Sequence, residues 1–200
     1  MTKTILVAGA TGSTGAQVVQ SLEAGGHKTI SLVRESSDTS VLPETTELRY
    51  GDLAELPDDV CDGADVVIFA AGSGSKTGPE MTDKIDRDGA QRLVDLAKSA
   101  GVERFVMLSS VGADQSNPSG DLAHYLQAKH DADAHLQSSG LTHAILRPVA
   151  LTDDGRSDGV ILGDAVDTSG KASRADVAAL LAEAAVAGTL DGQAVNMQSA

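Results

Sequence analysis

Aromatic side chains are nearly missing from this chain, which has no tryptophan, two phenylalanines and two tyrosines among 200 residues. Stacked rings therefore cannot define its binding pocket. A single cysteine, Cys61, excludes an intramolecular disulfide framework and any multi-cysteine metal site, and no metal site is expected. Its setting, CDGADVVIF ahead of an apolar run, reads as a small buried residue. No apolar run approaches the roughly 20 residues of a membrane span. MTKTILVAGA enters a strand pattern at once, with no signal peptide, so the expected location is cytoplasmic, with no membrane partner.

Cations are scarce as well. The chain has 15 Lys plus Arg against 29 Asp plus Glu, a net charge of −14. Binding to a phosphate backbone needs clustered cations, and no basic stripe is present, so nucleic acid is excluded as a partner. The acid consists of 21 aspartates and 8 glutamates, scattered rather than gathered in a tail. Such a surface suits high salt, where screening relieves self-repulsion. A halophilic or salt-tolerant source is expected, with an acidic mesophilic protein as the alternative.

What is present alternates. Apolar strand patterns cover residues 4–8, 28–33, 47–50, 65–70, 104–109 and 143–146, and amphipathic stretches cover 14–24, 81–100 and 122–138. In QRLVDLAKSA, Leu93, Leu96 and Ala97 recur at helical spacing and Gly101 follows as a stop. Strands so apolar, with helices between them, predict an α/β fold: a doubly wound parallel sheet of Rossmann type with helices on both faces. Residues 1–200 read as one domain, with a small substrate-side region around 148–170 that is polar and irregular. A short strand at 160–162, a helix at 174–187 and a strand near 194–197 complete the pattern.

The first strand runs into GATGSTG, with Gly9, Gly12 and Gly15 at three-residue spacing. A dinucleotide's pyrophosphate needs free backbone N–H groups at a helix N-terminus and a chain that approaches without Cβ atoms in the way. Gly9 serves the tight turn, Gly12 the close approach and Gly15 the packing of helix on strand. At the end of the second strand an acidic residue suits a ribose 2′-hydroxyl and an arginine a 2′-phosphate. TISLVRESSD places Val33 at the acidic position and Arg34 next to it, with Ser36 or Ser37 as further donors. The reading is NADP(H), with NAD(H) as the alternative that neighbouring Glu35 keeps open.

GATGSTG, Arg34, Gly51-Asp52-Leu53, FAAGSG, FVMLSS and LRP form one series along the chain. Together they resemble the atypical short-chain dehydrogenase/reductases, the NAD(P)H-binding, NmrA-like and short sugar-epimerase-like proteins. The resemblance implies that Gly9, Thr11, Gly12, Ser13, Thr14 and Gly15 form the phosphate loop. It implies that Asp52 and Leu53 border the adenine and that Ala70, Ala71 and Gly72 pass beneath the adenosine ribose. Ser109 would face the cofactor, and Pro148 would fix the turn running past the nicotinamide.

HYLQAKH sets Tyr125 and Lys129 four residues apart on a helix, so both lie on one face. In proteins resembling this chain such a lysine binds the nicotinamide ribose and supports the tyrosine as proton donor. A phenol, with a pKa of about 10, takes part in acid–base chemistry at neutral pH only beside a cation that stabilises its anion. By the same resemblance Ser110 would hold the substrate carbonyl. One departure stands out: IDRDGAQ has Asp86 where extended members carry asparagine, which alters the charge beside Lys129. Arg147 is open between a substrate contact and a partner for an aspartate. No histidine cluster has metal-ligand spacing.

Only 53 residues follow Arg147, too few for the substrate domain of a sugar-nucleotide epimerase. The expectation is an NADPH-dependent oxidoreductase acting on a small molecule, a carbonyl, quinone or flavin-like acceptor, as a monomer or small homo-oligomer. Two alternatives stay open: a non-catalytic NADPH-binding redox sensor of NmrA-like type, and a NAD(P)-dependent epimerase or dehydratase.

Overall fold

Short apolar runs such as TILVA and VVIF are buried along almost their whole length, as strands covered on both faces must be. The computed structural model describes residues 1–74 and 77–200. Its strands are β1 (Thr4–Ala8), β2 (Lys28–Val33), β3 (Glu47–Tyr50), β4 (Val66–Phe69), β5 (Arg104–Leu108), β6 (Thr142–Pro148), β7 (Ala150–Thr152), β8 (Val160–Leu162), β9 (Lys171–Ser173) and β10 (Gln193–Ser199). Eight of them form one sheet in the order β3-β2-β1-β4-β5-β6-β10-β8, parallel throughout except for β8 at the edge. The strand order reverses between β1 and β4, and the crevice beyond their carboxyl ends is where ligands sit in such sheets.

The helices are α1 (Gly15–Ala24), α2 (Pro79–Thr82), α3 (Ala90–Ser99), α4 (Ala123–Ser138) and α5 (Arg174–Ala187). Helices α1 and α5 cover one face, where Val18, Val19, Leu22 and Leu181 meet Val7 and Ile68. The α3 and α4 side chains Leu93, Val94 and Leu136 cover the other, against Phe69 and Phe105. Ser173 caps α5 by accepting from the Ala175 N–H, and Gly188 ends it in the left-handed region. Among the described residues no helix is long and apolar enough to cross a membrane.

Two stretches differ from the sequence expectation. The helix expected over 81–100 is instead α2, a π-helical segment (Asp83–Gly89) and α3 in succession. The wide turn lets the chain pass close to the neighbouring loop: a Cβ on Gly89 would lie 2.7 Å from the Leu53 carbonyl oxygen. The irregular region 148–170 also holds more order than its composition suggests. β7 pairs in parallel with β9, and β8 runs antiparallel to β10. Three-residue strands are too short to show an alternating pattern, so their pairing is a tertiary matter.

Candidate cofactor cleft and buried charge cluster

β1 delivers its backbone to Gly9, whose φ of 80° is open to glycine and strained for other residues. A Cβ there would lie 2.7 Å from the Ala71 backbone, so β1 and β4 approach closely at this turn. At Gly15 a Cβ would overlap the Gly9 carbonyl oxygen, which seats α1 directly on the strand. A Cβ at Gly12 would stand 3.2 Å from the same oxygen, a tight but bearable distance, and Gly12 borders open space. Thr14 precedes α1 without a side-chain cap, and no acid stands in the first turn, so this N-terminus keeps its attraction for an anion.

The cleft that opens here has a volume of about 380 Å³. Gly9, Thr11 and Gly12 line it where β1 meets α1, and Arg34, Asp52, Leu53, Ala70, Ala71 and Gly72 line the rest. The glycine positions leave room for a pyrophosphate where side chains would fill it, so the residues present fit a dinucleotide. Ser13 lies exposed, and Thr14 and Gly15 are buried under the loop rather than on the wall.

The serine that reaches the cleft beside Arg34 is Ser37, not Ser36. A turn explains the exchange: Ser37 donates its N–H to the Arg34 carbonyl at 2.9 Å and accepts from the Arg34 N–H at 3.1 Å, curling back while Ser36 faces water. Met81 and Ile85, which sequence reasoning missed, line the cleft from α2 and the π-helical segment. Their apolar types at helical spacing carry no signal separating a cleft wall from a core. Seven of the eight arginines pair with a carboxylate; among the described residues Arg34 does not. It stands exposed at the cleft's mouth, beside a second hollow formed with Glu35, Tyr50, Gly51 and Asp52.

Tyr125 and Lys129 lie outside that wall, on α4 facing β5 and the π-helical segment. Tyr125 is half-buried, and the Lys129 ammonium sits 5.8 Å from its ring centroid and 5.6 Å from that of Phe69. Lys129 itself is 3% exposed and pairs with Asp86, Nζ to Oδ1 at 3.0 Å. Burial works against its charge, yet the ionised form of Tyr125 and the Asp86 and Asp133 carboxylates more than offset that and hold the ammonium's pKa above the ordinary lysine value. Asp86 Oδ2 accepts from the Ser73 N–H at 2.9 Å, which ties the cluster to the cleft wall.

Ser109, expected to face the cofactor, turns its hydroxyl the other way. Strand alternation puts it on the α4 face with Phe105 and Met107, where it is buried and donates to Asp133 at 2.9 Å. Ser110 is half-buried, and its hydroxyl has only a 3.4 Å contact with the Val111 carbonyl, leaving it available. Arg147, whose role the sequence left open, is buried and donates Nε to the same Asp133 oxygen at 2.9 Å. Burial drives the Asp133 carboxyl above the usual range, against the pull of Arg147, Ser109 and Lys129. Pro148 is buried at the end of β6.

Comparison with known proteins agrees with this architecture. A family model described as NAD(P)H-binding matches residues 9–187. The Bacillus subtilis protein named uncharacterized sugar epimerase YhfK is 34% identical over 156 residues, which cover 75% of this chain and 73% of that protein. A solved Bacillus halodurans structure, whose name places it with the NAD-dependent epimerase/dehydratases, superposes with a TM-score of 0.92 at 30% identity, over 99% of this chain and 94% of that one. ChuY of Escherichia coli O157:H7, named an anaerobillin reductase, is 26% identical with a TM-score of 0.79, over 98% and 97%. The chain belongs to the NAD(P)H-binding family, among the atypical short-chain dehydrogenase/reductases.

Proposed function

We propose that this protein is an NADPH-dependent reductase of a small carbonyl, quinone or flavin-like acceptor. The observation that carries the reading is the Tyr125–Lys129 pair, 5.8 Å from ammonium to ring centroid, linked through Asp86 to the Ser73 wall of the cofactor cleft. The likeness to a protein named a reductase adds support. When bound, NADPH supplies a hydride. Tyr125 then gives its phenolic proton to the atom left negative by the hydride, the oxygen of a carbonyl or quinone or a ring nitrogen of a flavin, and water restores the proton through the half-exposed side chain. Lys129 orients the phenol, and the Ser110 hydroxyl donates a hydrogen bond to the substrate oxygen as negative charge develops there. Arg34 selects the phosphorylated cofactor through its exposed guanidinium.

The test is NADPH oxidation against a panel of carbonyls, quinones and flavins. Tyr125→Phe is expected to lower turnover by about 100-fold or more while cofactor binding persists. Unchanged turnover would remove Tyr125 as the acid. One observation favours a second reading, a non-catalytic NADPH sensor: Lys129 is almost wholly buried and already paired. For a sensor, no acceptor supports NADPH oxidation although the cofactor binds.

A further inference from the structure

The α4 face of the sheet buries four charged side chains together: Asp86, Lys129, Asp133 and Arg147. The proposed proton transfer from Tyr125 draws on Lys129, which orients the phenol. Asp86 is the least expected of the rest, since a fully buried carboxylate is costly unless paired and hydrogen-bonded. The π-helical segment is what aims it. Within that wide turn the Asp86 carboxylate reaches Lys129 Nζ at 3.0 Å with one oxygen and the Ser73 N–H at 2.9 Å with the other. Gly72 leaves the space it occupies, for a Cβ there would stand 3.3 Å from Asp86 Oδ1. Short π-helical segments recur at functional sites.

The charges around the pair come from every neighbouring element. Asp86 comes from the π-helical segment, Asp133 from the next turn of α4, and Arg147 from β6 through Asp133. At the open end His124 lies 3.0 Å from Asp83. The ammonium of Lys129 is thus already answered by a carboxylate. A phenolate at Tyr125 would add a second negative charge to a neutral pair, whereas a phenol adds none.

We propose that Asp86 is a positioning residue that holds the Lys129 ammonium beside Tyr125 and offsets part of its charge, so that Tyr125 is held as a phenol able to donate its proton. The proposal rests on Tyr125 being the proton donor. The two are tested separately, because the measurement below needs no substrate.

The chain has two tyrosines and no tryptophan, so in a Tyr50→Phe background Tyr125 is the sole phenol. The ultraviolet absorbance of tyrosinate is followed against pH, with circular dichroism at each point to report the fold. Adding Asp86→Asn leaves Lys129 unbalanced beside the phenol, and the absorbance is expected to rise at a pH lower by about one unit or more. An unmoved or higher transition overturns the proposal. If Asp86→Asn does not fold, the double variant Asp86→Asn/Lys129→Gln, which removes both charges and keeps a polar group at each position, is read instead. Its transition is expected within about half a unit of the parent, because balanced charges leave together. An upward displacement of more than about one unit, as loss of an unbalanced cation gives, overturns the proposal. Failure of the proton-donor reading shows elsewhere, as unchanged turnover in Tyr125→Phe.

Discussion

A methyl group added at Gly15 would overlap the Gly9 carbonyl oxygen, while one added at Gly12 would stand 3.2 Å from it and face the cleft. These two neighbours of the same loop therefore separate packing from binding. Gly15→Ala is expected to lower unfolding free energy by about 2 kcal/mol or more, because α1 must lift off β1. Gly12→Ala is expected to change stability by less than about 1 kcal/mol and to weaken cofactor affinity roughly tenfold, since the methyl occupies space that the pyrophosphate needs. Urea unfolding and calorimetric titration of both variants check the contrast. Arg34 makes its own prediction at this scale. Without a carboxylate partner among the described residues, in a protein of net charge −14, it is available to a 2′-phosphate, and Arg34→Ala should weaken NADPH by about 10- to 100-fold, the range of a charge-assisted hydrogen bond. NADH affinity should stay unchanged; an equal loss for both cofactors would reduce Arg34 to a surface residue.

Elements are joined by buried carboxylates in this fold, and Asp176 shows how. It stands on α5, 2% exposed, and accepts from the Ser157 N–H at 3.2 Å, the Ser157 hydroxyl at 2.7 Å and the Ser199 hydroxyl at 2.6 Å. The loop after β7 is thereby held to α5 and to the end of β10. Burial opposes the charge, but the hydrogen bonds from Ser199 and Ser157 outweigh it and hold the carboxyl below its usual range. A carboxyl that binds its proton more weakly when folded contributes stability that is complete above a pH of about 4 and is lost as pH falls through its folded value. Asp176→Asn should therefore melt below the parent at neutral pH, and the gap should narrow as pH drops beneath about 4. Trypsin should also cut after Arg156 faster in the variant. A gap that ignores pH would mean the carboxylate's charge is not what holds the loop.

At the scale of the whole molecule, a surplus of 14 negative charges repels itself wherever the fold compacts it. Salt bridges such as Arg104–Asp191 and Lys3–Glu103 relieve this locally, but 15 cations cannot answer 29 acids. Screening does the rest: the Debye length falls from about 10 Å at 0.1 M salt to about 3 Å at 1 M. The melting temperature is expected to rise by several degrees between low and molar potassium chloride. A flat response would show that the surface charges lie far enough apart to need no screening.

What the sequence by itself determined is local or periodic. GATGSTG was legible because a tight turn and a close helix contact both forbid a Cβ at fixed spacing, and the structure puts those glycines where β1 meets α1. The sheet was legible because VVIF is apolar throughout and RFVML is apolar after Arg104, as strands covered on both faces require. Tyr125 and Lys129 could be paired because four residues make about one helical turn. Tertiary structure alone decided the rest. Asp86 meets Lys129, and Arg147 and Ser109 meet Asp133, only because separate elements converge on the α4 face; no spacing along the chain encodes those contacts. The π-helical segment packs Gly89 against Leu53 from a separate loop, and β7 and β9 pair across a loop whose composition reads as irregular. A buried charge needs a partner from whichever element lies nearest, and that element is known only once the chain has folded.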